Sequence, residues 1–90
     1  MKRYHISVIG RVQGVGYRFF TVDTAVSMGL SGWVRNRPDS SVELEVQGED
    51  QKKLDQFCEQ LREGPPLARV NRLDIKELPP DPSLTEFFIR

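Results

Sequence analysis

Between Ile9 and Phe19 the repeat of apolar residues changes its period, and Gly10, Gly14 and Gly16 occupy the change. Before it, Tyr4, Ile6 and Val8 alternate with His5, Ser7 and Ile9, the two-residue repeat of a strand with one strongly apolar face. After it, from Arg18 to Met28, Phe19, Val22 and Val26 fall on one helical face with Ala25 beside them. Gly29 is well placed to end that helix in a left-handed conformation. A strand that becomes a helix across a glycine-rich segment opens a βαβ unit, so the chain is committed to a sheet covered by helices.

The remaining pattern completes that unit. Leu30 to Asn36 reads as a second strand, Arg37-Pro38-Asp39-Ser40 as a turn, and Val42, Leu44 and Val46 alternate with Glu43, Glu45 and Gln47 as a third strand. From Gln51 to Glu63, Leu54, Phe57, Cys58 and Leu61 form one helical stripe, which Gly64-Pro65-Pro66 stops. A fourth strand spans Ala68 to Leu78, with a bulge or bend where its apolar phase slips between Val70 and Leu73. After Pro79-Pro80-Asp81-Pro82, Thr85, Phe87 and Ile89 suggest a short final strand. The predicted fold is α+β: a two-layer ferredoxin-like sandwich in β-α-β-β-α-β order with a short extra C-terminal strand. Both helices lie on one face of an antiparallel sheet.

Ninety residues suit a single domain, 1–90, which at this size buries about 60–65% of its unfolded surface. Thirteen basic and thirteen acidic side chains cancel, so no long-range field draws in nucleic acid or an anionic membrane. A bound anion must be captured locally. The lone Cys58 permits no intramolecular disulfide, and neither a signal peptide nor an apolar run of membrane-spanning length is present, which points to a cytoplasmic protein.

A right-handed crossover makes the first two strands parallel, with the third between them. Their C-terminal ends then open on one edge, about 10 Å apart at two strand spacings. The loop Arg11–Tyr17, leading into Arg18, stands at one end and Val34-Arg35-Asn36 at the other. Gly14 and Gly16 allow several amides to converge, the helix N-terminus adds partial positive charge, and Arg18 offers a planar fork to two phosphate oxygens. On residue chemistry alone, an anion cradle and an ordinary connection with a solvated arginine fit equally well. Nucleotide-loop readings fail, because Gly14-Val15-Gly16 lacks a third glycine and no Gly-Lys-Ser/Thr follows.

Gly10-Arg11-Val12-Gln13-Gly14-Val15-Gly16-Tyr17-Arg18 resembles the acylphosphatase signature G-x-V-Q-G-V-x-F/Y-R, and Gly32-Trp33-Val34-Arg35-Asn36 resembles the second motif G-W-V-x-N. Val42-Glu43 and Gly64-Pro65-Pro66 with Ala68 and Val70 extend the resemblance over essentially the whole chain. It implies hydrolysis of the carboxyl-phosphate bond of a small acyl phosphate, giving a carboxylate and inorganic phosphate. It also implies phosphate binding by Gln13, Gly14, Val15, Gly16, Tyr17 and Arg18, with the attacking water positioned by Asn36 and its proton taken by the substrate's phosphate. One departure is Ser40, which stands after Asp39 where the family commonly has glycine; serine tolerates a positive φ poorly, so the turn differs or carries mild strain.

Such chemistry asks little of the protein. Carboxylic acids ionise near pH ~4, so the leaving group departs without a strong general acid. Phosphoryl transfer is then a matter of positioning and charge stabilisation. No metal or cofactor is implied, and the expected partner is the small substrate, bound by a monomer without nucleic acid or membrane. His5 reads as structural or surface, Cys58 as a packing residue (Gly64, not arginine, stands six residues on), Trp33 as packing against the sheet or its neighbours, and Phe19 and Val22 as core. Arg11, Arg35 and Arg37 read as solvated. Two further roles are open: the same domain within a larger carbamoyl-transfer maturation protein, and a non-catalytic ferredoxin-like binding module. Against an RNA-binding module, Glu43 and Glu45 on the exposed face would repel a phosphate backbone.

Overall fold

In the computed structural model, which describes residues 1–90, the strands are β1 (Lys2–Arg11), β2 (Ser31–Asn36), β3 (Val42–Gly48), β4 (Arg69–Leu78) and β5 (Phe87–Ile89). Helix α1 (Tyr17–Ser27) joins β1 to β2, and α2 (Gln51–Glu63) joins β3 to β4. The sheet order is β4-β1-β3-β2-β5. Strand β3 therefore lies between β1 and β2, antiparallel to both, as the crossover argument requires. No helix is long and apolar enough to cross a membrane.

The sheet departs from the expected antiparallel arrangement at one edge, where β5 runs parallel to β2. The path of the chain explains this. Strand β4 ends where Leu78 pairs with Arg3, at the edge remote from Asn36. The Pro79–Glu86 segment crosses that end of the sheet, so β5 can only start there and run in the direction of β2. Buried Gln47 at the end of β3 fixes the crossing: its Nε2 donates to Asp81 O (2.8 Å), and its Oε1 accepts from Asp81 N (2.7 Å).

The alternation along β3 buries Val42, Leu44 and Val46 opposite Val8, Ile6 and Tyr4. Helix α2 buries Leu54, Phe57, Cys58 and Leu61, the stripe that its spacing predicts. Asp50 starts it by accepting a hydrogen bond from Lys52 N (2.9 Å), and burial pushes the Cys58 thiol up from its ordinary value. The phase slip in β4 is a bulge: Ile9 pairs with Arg72 and Gly10 with Val70, leaving Asn71 unmatched.

Helix α1 is rotated from the expected face. Tyr17, Thr21 and Ala25 are buried, whereas Phe19 is 70% exposed and Val26 60% exposed; Val22 packs partly against the core. The cause is Tyr17, whose ring enters the core and whose hydroxyl donates to Leu61 O of α2 (2.8 Å). That long-range bond fixes the rotation, and small Thr21 and Ala25 then face inward. Burial pushes the Tyr17 phenol above its ordinary range.

Candidate active site

The glycine-rich loop and the end of β2 meet as their strand positions require. A cleft of about 120 Å³ is lined by Val12, Gly14, Gly16, Tyr17, Arg18, Phe19 and Asn36. Gly14 and Gly16 take φ values of 72° and 80°, left-handed angles that a side chain would make costly. Gly16 caps α1 without any side-chain bond, and the first helical hydrogen bond runs from Phe20 N to Gly16 O (3.0 Å). The amides of Tyr17, Arg18 and Phe19 thus lie in the first turn, which has no acceptors within the helix and carries the positive end of its dipole.

Arg18 lies partly buried at the cleft and takes part in none of the chain's salt bridges. Its guanidinium is uncommitted. Across the cleft, Asn36 Oδ1 is buried and accepts no hydrogen bond. An unpaired buried acceptor carries a desolvation penalty of about 1–3 kcal/mol.

Of the loop residues expected to bind phosphate, Gly14, Gly16, Tyr17 and Arg18 line the cleft, whereas Gln13 and Val15 do not. Val15 packs against the core. The Gln13 side chain turns away and donates both amide hydrogens to the hairpin beyond Asn36, to Arg37 O (2.7 Å) and Ser41 O (2.9 Å). Sequence reasoning missed this clamp between the loop and the strand end that carries Asn36.

Arg35 and Arg37 are not solvated bystanders. Glu43, on the helix-free face of the sheet and 7% exposed, accepts from Arg37 Nη2 (2.7 Å), His5 Nε2 (2.6 Å) and Arg35 Nε. The Arg37 bond, reinforced by those from His5 and Arg35, lowers the Glu43 carboxyl to about pKa 2 against its partial burial. The expected repulsion of polyanions by Glu43 and Glu45 therefore fails at Glu43, whose charge is matched by its neighbours. Glu45 lies 3.7 Å from Arg3. His5 and Trp33 hold the structural places expected of them. The Trp33 ring is buried, with Arg90 and Arg35 guanidinium carbons 4.5 and 5.6 Å from its centroid.

A wider groove of about 1090 Å³ borders both helices and β4, including Thr24, Met28, Lys52, Asp55, Glu59 and Ile75. Size favours it, but chemistry favours the smaller cleft, where the glycine loop, a helix N-terminus, a free arginine and Asn36 converge.

The acylphosphatase family model matches residues 4–89. The chain is 48% identical over 89 residues to a Methylococcus capsulatus protein named acylphosphatase, covering 99% of this chain and 96% of the relative. The crystal structure of acylphosphatase from Bacillus subtilis superposes with a TM-score of 0.95 at 37% identity, over 100% of this chain and 99% of that one. The crystal structure of T. kodakarensis HypF matches with a TM-score of 0.86 at 40% identity; it covers 100% of this chain but 12% of the other. Family model, sequence relatives and fold agree over nearly the full length: the chain belongs to the acylphosphatase family.

Proposed function

We propose that residues 1–90 form a single domain that hydrolyses the carboxyl-phosphate bond of acyl phosphates without a metal or cofactor. The observation that carries this reading is the convergence of uncommitted Arg18, the first turn of α1 and Asn36 on one cleft. The amides of Gly14, Gly16 and Tyr17 and the Arg18 fork hold the phosphoryl oxygens, where charge accumulates in the transition state. Asn36 Oδ1 accepts a hydrogen bond from a water molecule and aims its oxygen at phosphorus. A P–O bond to water forms as the P–O bond to the acyl oxygen breaks. The carboxylate leaves unprotonated, and one water proton passes to a phosphoryl oxygen, giving orthophosphate.

The reading includes a monomer in the cytoplasm. The cleft is built from one chain, and a single buried cysteine suits a reducing compartment. The test is hydrolysis of benzoyl phosphate with chelator present. Arg18→Ala should lose about 10³-fold or more in turnover with the fold intact, since Arg18 anchors no salt bridge. Asn36→Ala should lower kcat far more than it weakens inhibition by phosphate. Substantial activity in Arg18→Ala, or activity lost to chelator, overturns the reading.

A further inference from the structure

Holding and attacking the phosphoryl group leaves one wall of the cleft unused. Phe19 lines it beside Arg18 and Asn36, yet is 70% exposed and enters neither of the chain's aromatic pairs. Its exposure follows from the rotation of α1: Tyr17 turns into the core, so Phe19, two residues on, turns out at the rim. A cleft of about 120 Å³ accepts a phosphoryl group and its water, each water taking ~30 Å³, but leaves the acyl group projecting past the rim. The apolar surface that such a group meets there is the Phe19 ring.

We propose that Phe19 reads the acyl group and makes aromatic and other apolar acyl phosphates better substrates than acetyl phosphate. The inference rests on the acyl phosphate reading above and adds the substrate class. Contact between two aromatic rings at a surface contributes a factor of about 2–10 in affinity beyond the area buried. This contact is made before and during the chemical step alike, so its effect falls on KM rather than kcat.

The experiment compares kcat/KM for benzoyl and acetyl phosphate in the wild type, Phe19→Ala, and Val26→Ala, an exposed apolar control two helical turns from the cleft. Phe19→Ala should lower the benzoyl-over-acetyl preference about five-fold through KM, and Val26→Ala should leave it within two-fold. An unchanged preference in Phe19→Ala, or an equal shift in Val26→Ala, overturns the proposal. Calorimetry with two non-hydrolysable phosphonates separates this failure from failure of the catalytic reading. The wild type should bind phenacylphosphonate more tightly than acetonylphosphonate, and Phe19→Ala should lose the difference. Equal wild-type affinities overturn the role of Phe19 even where hydrolysis is observed, whereas absence of hydrolysis of both substrates overturns the catalytic reading.

Discussion

Ser40 is the chain's only non-glycine residue with positive φ, at 76°. Its N–H donates to Arg37 O (3.2 Å), closing a turn over Pro38 and Asp39, and the left-handed angle at Ser40 then returns the chain to β3. A side chain held there costs about 1–2 kcal/mol, partly offset because glycine is more flexible when unfolded. Ser40→Gly should raise stability by about 0.5–1 kcal/mol in urea titration without changing turnover. At Glu43 the folded carboxyl titrates near 2 against an ordinary value of 4.5. Its contribution, on the order of 2–3 kcal/mol, is thus present above pH 4.5 and disappears as pH falls toward 2. Glu43→Gln should destabilise the protein at pH 7, and the gap from wild type should narrow steadily between pH 4.5 and 2.

At the scale of elements, the loop and the β2–β3 hairpin are joined by Gln13, whose two donated bonds end on carbonyls either side of the turn. Gln13→Ala should lower kcat/KM about 10–100-fold and destabilise by about 1–2 kcal/mol. Gln13→Glu, which keeps the size but places a carboxylate against two carbonyls, should be at least as damaging; full activity in that variant would show that the clamp is dispensable. Glutamine at 13 was legible as part of a motif, but its partners were not, because a side chain reaching across 24 and 28 residues leaves no periodic trace. Helix α2 and the β2–β3 hairpin were legible because neighbouring residues alone determine their buried faces. In α1 the count of apolar residues favoured Phe19 and Val26, whereas the tertiary bond of Tyr17 to Leu61 decided the face. The same limit hid the Glu43 network: the alternation in β3 marks Glu43 as turned away from the helices but says nothing of its three hydrogen-bond donors, Arg35, Arg37 and His5. Asn36 and Arg18 were placed on one cleft by topology, which needs only strand order and handedness.

Across the whole molecule, ligand binding and folding are linked, because the cleft exists only when β1, α1 and β2 are assembled. Phosphate at ten times its dissociation constant should stabilise the native state by about 1.4 kcal/mol and raise the thermal midpoint by roughly 5–10 °C. Arg18→Ala should abolish the shift, and a shift that persists in that variant would place the anion elsewhere.

The Gln13 clamp also bears on how the molecule moves. A loop hydrogen-bonded to the neighbouring hairpin is not a lid: nothing in that joint must swing shut over a substrate or reopen to release a product. The site acts as a fixed template, so its hydrogen-bond donors and acceptors need little reorganisation when charge develops on the phosphoryl oxygens. The chemical step should then be insensitive to the viscosity of the medium, with friction slowing only the arrival and departure of small molecules.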